Sequence, residues 1–349
     1  ISVPCMRIID NRPKTILSSM GNETVEVTLF FSDGQSTASV PAGISAGQYE
    51  IQNVTVSDAI TQIENIKNKL INIDFVQESL DKLLVEENLA GNASLPISAA
   101  FWKFDLKNKT YTKFPKLFLL LFEGGKHGNS SISIQEFAII ENRVEEAISN
   151  FKSLKDYLDK HNIESLVGAE GGFSPKGFDN SLVLETIKNV FPDKQIAIDI
   201  AATFANSGID EQNLLANYNI ASIEDPYPED AWPDWVKFYK QFGNKILVVG
   251  DDLIVTNKNR LNMALNPQAV NAIIVKPNQN GTISGALEVA RLAKENNLKV
   301  VVSHRGEETD DSWIVDFALE AQADFVKFGG MDRGERIAKY NRLRELGMV

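Results

Sequence analysis

Residues 24–31 (TVEVTLFF) begin by alternating polar and apolar positions. The turn-forming Ser32-Asp33-Gly34 follows, and 36–40 resume as an extended run, so an antiparallel hairpin is predicted. Ser57-Asp58 then offers an N-cap to helical spacing over 59–71. Further helices are expected over 76–84 and 96–104. Residues 107–113 (KNKTYTK) are polar and lack core-like spacing. A boundary is expected there, giving an α+β domain over 1–112 and a second unit over 113–349.

Beyond that boundary short apolar, β-branched runs recur between helical stretches. They fall at 133–140, 165–169, 195–200, 220–223, 246–249, 272–275, 299–303 and 324–328. Strands alternating with helices imply βα units and a largely parallel sheet. Eight runs predict a closed barrel with its site at the C-terminal strand ends. Those ends carry Glu170, Asp199, Glu224, Asp251, Lys276, His304 and Lys327, spaced by roughly 23 to 29 residues, about one βα unit each time. Surface charges have no reason to recur at one phase of every unit.

A length of 349 residues fits two domains, one of them large. No apolar run approaches the ~20 residues of a membrane span, and the start does not read as a signal peptide. The formal net charge of −12 argues against nucleic-acid binding, which needs a basic surface. A single cysteine, Cys5, excludes an internal disulfide framework and fits a reducing, cytoplasmic location.

Asp199, Glu224 and Asp251 bring three hard oxygen donors to one mouth, a set suited to Mg²⁺ rather than zinc. Singly, each has a plainer explanation: Asp225-Pro226 can start a turn, and Asp251-Asp252 can cap a helix. Together they favour the metal. Lys276 and Lys327 are expected across the mouth. A lysine near Mg²⁺ and a second cation has its pKa lowered and can act as a base, although single strand-end lysines are more often salt-bridged. Glu170, before Gly171-Gly172, is a candidate general acid, against the alternative of a solvated turn carboxylate. Arg305 beside His304 can grip a phosphate. His127 sits in a Gly-rich loop, and His161 reads as an exposed residue in a polar stretch. Such a site removes a proton next to a metal-bound carboxylate and expels a leaving group.

These residues lie in segments that resemble the enolase family, the phosphopyruvate hydratases. The segments are VPAGISAGQYE (40–50), GGKHGNSSISIQEF (124–137), VGAEGGFSP (167–175), IAIDIAA (196–202), SIEDP (222–226), VGDDLIVTN (249–257), IIVKPNQNGT (273–282), VVSHRGEET (301–309) and VKFGGMDRGERIAKYN (326–341). The resemblance implies an enolase-type (β/α)8 barrel with a ββαα start, preceded by a smaller α+β domain. It implies reversible dehydration of 2-phosphoglycerate to phosphoenolpyruvate, a small phosphorylated carboxylic acid, with two Mg²⁺ ions per site and the Lys-and-magnesium chemistry known for the enolase superfamily. By resemblance Asp199, Glu224 and Asp251 hold the first ion, and Ser45, in a mobile loop, helps bind the second. Lys276 takes the C2 proton. Glu170, assisted by Glu136 and Gln135, protonates the leaving hydroxyl. Lys327 meets the substrate carboxylate, Arg305 and His304 lie at the substrate, and His127 sits in a second closing loop. A homo-oligomer, dimeric or larger, is implied too.

The chain departs from the family pattern in places. GDEGG becomes Gly168-Ala169-Glu170-Gly171-Gly172, SHRSGET becomes SHRGEET with Gly306-Glu307 at the phosphate end, and KTG becomes Lys327-Phe328-Gly329. SRGNPT reads as interrupted by residues 13–20 after Arg12, and the first domain is short. Two alternatives stand beside the family activity: a lyase acting on a phosphono or carboxy analogue, and a non-catalytic binding protein.

Overall fold

The computed structural model of the chain describes residues 5–43, 47–106, 109–128, 131–203 and 210–348. The predicted hairpin is present and gains a third strand. β1 (Met6–Arg7) leads into β2 (Asp10–Leu17), β3 (Glu23–Phe31) and β4 (Gly34–Ser39), and the last three form an antiparallel sheet. β2 pairs with β3 along its whole length, from Asp10↔Phe30 to Leu17↔Glu23. Residues 13–20 are therefore no interruption. They are an edge strand and the start of a turn, which Gly21 closes at φ +78°, a conformation natural to glycine.

Helices α1 (Val56–Asn65) and α2 (Lys67–Leu70), strand β5 (Asp74–Phe75), and helices α3 (Gln77–Glu86) and α4 (Gly91–Asp105) complete the first unit. α4 starts five residues before its expected position and runs through Pro96. It buries residues all round, so packing rather than an amphipathic face holds it.

The barrel opens with β6 (Lys116–Glu123) and β7 (Glu136–Glu141), followed by α5 (Val144–Lys160) and α6 (Asn180–Val190). Then come β8 (Ile196–Asp199), α7 (Glu211–Asn217), β9 (Ile220–Glu224), α8 (Trp232–Phe242), β10 (Leu247–Gly250), α9 (Lys258–Leu265), β11 (Ala272–Val275), α10 (Pro277–Asn280), α11 (Ile283–Glu295), β12 (Lys299–Ser303), α12 (Trp313–Glu320), β13 (Phe325–Lys327) and α13 (Gly334–Glu345). The strands close in the order β10-β11-β12-β13-β6-β7-β8-β9. β7 is antiparallel to both β6 and β8, and the other pairings are parallel, which is the ββαα start.

Two expectations are corrected here. The eighth strand is 116–123, and residues 165–169 are not in the barrel; Val167 makes only an isolated bridge to Phe173. Inside the barrel Phe118, Ala138, Ala197, Val249, Ala272, Ile274 and Val301 pack as one cluster, so the interior is filled. Outside, helices such as α5 bury one stripe, Val144, Ala147, Phe151, Leu154 and Leu158, at helical spacing.

The first unit lies against the mouth. Ala42 and Glu307 exchange backbone hydrogen bonds of 2.8 and 3.0 Å, and the Trp313 indole donates to the Ser39 carbonyl at 3.1 Å. Ser94 Oγ donates to the Gly281 carbonyl at 2.8 Å. Among the described residues no helix is long and apolar enough to cross a membrane.

Candidate active site

A parallel strand delivers its last residue to the mouth, and Asp199, Glu224 and Lys327 are the last residues of β8, β9 and β13. Asp251, Lys276 and His304 follow β10, β11 and β12 directly. Because β7 runs the other way, Glu136 reaches the same mouth as the first residue of its strand. Glu170 arrives by a separate route, on a turn between α5 and α6. One pocket is lined by His127, Gln135, Glu136, Glu170, Asp199, Asp251, Lys276, His304, Arg305 and Lys327, so it gathers nearly every residue expected from the sequence. Glu224 is buried beside it, bonded to Lys327. Ser45 falls in 44–46, outside the described residues.

The lysines divide the carboxylates between them. Lys327 Nζ lies 2.9 Å from both Glu224 oxygens, 3.1 Å from Asp199 Oδ2 and 3.1 Å from Glu136 Oε2. Lys276 Nζ donates to Asp251 Oδ2. Burial pulls both ammonium groups down, but their carboxylate neighbours, Asp251 for Lys276 and Asp199 first for Lys327, leave both raised. Lys276 is raised here because Asp251 is its partner; the expected lowering belongs to the site with Mg²⁺ held by that carboxylate. Asp251 in turn is held below the usual carboxylate range: burial would raise it, but Lys276 and Lys327 outweigh burial. Burial, then Asp199, pushes Glu224 well above that range.

The pocket lining includes seven carboxyl groups, of Glu50, Glu136, Glu170, Asp199, Asp225, Asp251 and Asp252, against the basic side chains of Lys276, Arg305 and Lys327. So large an excess of buried negative charge calls for added cations or protons. All-oxygen donors fit Mg²⁺. Among the described residues Asp225, Asp251 and Asp252 bring one oxygen each within 4.8 Å of one another, whereas the expected trio of Asp199, Glu224 and Asp251 is not gathered in this way.

Glu170 sits between two imidazoles. Its Oε2 is 3.5 Å from His127 Nδ1 and 3.5 Å from His304 Nε2. That is long for a hydrogen bond, and all three buried atoms lack a partner. Buried polar atoms left open in this way suit a ligand that supplies the missing bonds. Burial alone would raise Glu170, but His127 and His304 hold it well below the carboxylate range. Burial lowers His127 and Glu170 more than restores it. His304, more deeply enclosed, is pushed down to about 4 and stays neutral.

Several functional neighbours were not singled out from the sequence. Asp225 accepts the backbone N–H groups of Asp251 at 2.9 Å and Asp252 at 2.8 Å, which fixes the Asp251 turn. Gln279 Nε2 donates to Asp251 Oδ1 at 3.2 Å and is itself held by Thr256 at 2.8 Å. Glu50, from the first unit, binds Arg305 through two contacts of 3.0 and 3.1 Å. Adjacency to the strand-end Glu224 gave a hint only for Asp225; the others need the fold. The Glu307 carboxylate takes the Ser18 hydroxyl and is absent from the pocket lining, while Gly306 is present.

The family profile "Enolase, C-terminal TIM barrel domain" matches residues 209–347. Across its length the chain is 32% identical to an enolase of Bdellovibrio bacteriovorus, in an alignment of 399 positions that covers 96% of this chain and 94% of that protein. With the closed barrel and its ββαα start, this establishes that the chain belongs to the enolase family.

Proposed function

We propose that the protein reversibly dehydrates 2-phosphoglycerate to phosphoenolpyruvate. The observation that carries this reading is the opposition of base and acid. Lys276 follows β11, and β7, which begins with Glu136, stands four strands away in an eight-stranded ring. Glu170 and its two histidines belong to the Glu136 side, since Glu136, Glu170 and His304 each offer a ligand atom within 4.8 Å of the others. A substrate lying between them meets a proton acceptor on one face and a proton donor on the other.

In this reading Asp199, Glu224 and Asp251 hold one Mg²⁺, and the Ser45 loop contributes to a second. When bound, the ions offset the charge that the substrate carboxylate gains as its α-proton leaves. Lys276 Nζ would accept the C2 proton; a metal held by Asp251 would compete for the carboxylate that accepts from this ammonium. Glu170, with Glu136 and Gln135 beside it, delivers a proton to the departing 3-hydroxyl. His127, raised by Glu170, can hold that proton next to the carboxylate. Lys327 neutralises the carboxylate end, and Arg305 and His304 receive the phosphate end. The reading extends to a cytoplasmic homo-oligomer, on the family's habit. A second reading, a lyase for a phosphono or carboxy analogue, draws on Gly306, which leaves the lining at the phosphate end without a side chain.

The test is the phosphoenolpyruvate absorbance after adding 2-phosphoglycerate and Mg²⁺. A rise that EDTA prevents and Lys276→Ala abolishes is expected. No rise with Mg²⁺ bound would sink the first reading and move the assay to the analogues.

A further inference from the structure

Glu123, the last residue of β6, is fully buried and has no part in the chemistry above. We infer that Glu123 is a positioning residue for Glu170, anchoring the acid's turn from beneath through its backbone. This rests on the reading that Glu170 supplies the proton to the leaving group.

The geometry is specific. Glu123 Oε2 accepts the Glu170 N–H at 3.0 Å, and Oε1 accepts the Gly172 N–H at 2.9 Å. The two backbone donors thus converge on one carboxyl group. The strand below is tied to the same loop, since the Glu123 N–H donates to the Phe173 carbonyl at 3.0 Å and Ser174 Oγ donates to the Glu123 carbonyl at 2.9 Å. On the far side the Glu170 carbonyl accepts the Gly330 N–H at 2.9 Å. The turn carrying Glu170 is therefore held on both edges, and Glu123 is the only side chain among these anchors that accepts from the Glu170 N–H.

The packing leaves no slack. A Cβ on Gly168 would lie 2.6 Å from Glu123 Oε1, so the carboxyl group sits flush against the loop. Position 169, where the family pattern has an acid, is Ala169 and supplies none. Burial, and then Glu170, pushes the Glu123 carboxyl up to about 8. His127 and Arg336 are the other charged groups that act on it.

Glu123→Gln replaces one acceptor oxygen by an amide that faces a backbone N–H. The loop must shift, and the acid moves with it. The readout separates two half-reactions. Exchange of the C2 hydrogen with deuterated solvent reports the lysine step, and phosphoenolpyruvate formation needs Glu170 as well. We expect kcat to fall about 10- to 100-fold, the scale of an ångström-sized misplacement. KM and C2 exchange should stay within about threefold of the wild type. Glu123→Asp, which keeps the carboxyl group but falls short of the loop, should show the same split and serves if the Gln variant does not fold. Unchanged kcat in a folded variant, or exchange falling in step with turnover in both, would overturn the inference. If the wild type itself neither exchanges nor turns over, the assignment to 2-phosphoglycerate has failed, and this inference fails with it.

Discussion

His304 shows how one buried side chain can set a pH limit. It is 2% exposed, and burial holds it at about 4, well under the ordinary histidine value. In the unfolded chain it titrates at about 6.5. Between those values the unfolded state binds the extra proton, so the contribution of His304 to stability falls as pH drops through that window. Above about 6.5 neither state is charged and the contribution is constant. The full loss by about pH 4 is on the order of 3 kcal/mol. In urea denaturation the stability of the wild type relative to His304→Gln should decline between about pH 7.5 and 4.5. A difference between the two that does not change with pH would contradict the neutral assignment. Neither this burial nor the open ring nitrogens are visible in a sequence that shows only a His at a strand end. Residue identity at the strand ends is legible; protonation is not, because it depends on which carboxylates the fold brings close. Lys276 makes the same point: its partner, Asp251, directly follows the neighbouring strand β10 and raises its pKa.

At the level of elements, periodicity works where a strand has one wet face and fails where both faces are dry. β3 alternates and is found within a residue; β6 (KLFLLLFE) is buried along all but its first residue and offers no period. Residues 165–169 carry apolar types yet form a loop, and the turn that follows it places Glu170 in the pocket. That turn packs on the 329–330 loop with unusual closeness. A Cβ on Gly330 would lie 1.9 Å from the Gly171 carbonyl oxygen and 2.4 Å from its carbon, which are backbone atoms that cannot swing away. Gly330→Ala should therefore cost about 1–3 kcal/mol of stability by overpacking and should lower kcat, since the displaced turn carries Glu170. Gly334→Ala is the control. That position opens α13 and has nothing within 4 Å of a new Cβ, so it should be neutral or slightly stabilising, within about 0.5 kcal/mol. Equal effects in the two variants would mean that the close approach is not what constrains this loop.

The molecule as a whole is built so that the first unit completes the mouth of the second, and one ion pair concentrates that dependence. Arg305 and Glu50 come from different units and are both nearly sealed, with side chains 5% and 7% exposed. Asn278 Oδ1 also accepts from Arg305 at 3.1 Å, and Glu50 accepts the Gly47 N–H at 3.0 Å, so the pair ties the start of the 47–50 turn to the barrel. Breaking one side of a buried pair leaves an uncompensated charge and typically costs about 3–5 kcal/mol. Glu50→Gln keeps the shape and removes the charge, so its cost should sit at or below the lower end of that range. The proposed role of Arg305 adds a second, more specific consequence. If that guanidinium receives a phosphate group, an added anion can replace the lost carboxylate in the variant, whereas in the wild type it must compete with Glu50. Inorganic phosphate should therefore raise the melting temperature of Glu50→Gln by more than it raises that of the wild type. Chloride at matched ionic strength controls for screening. A larger phosphate response in the variant would tie stability at the unit boundary to ligand capture at the same arginine. An equal response would show that Arg305 is a structural link between the units and would shift the search for the phosphate-binding group to another residue of the pocket.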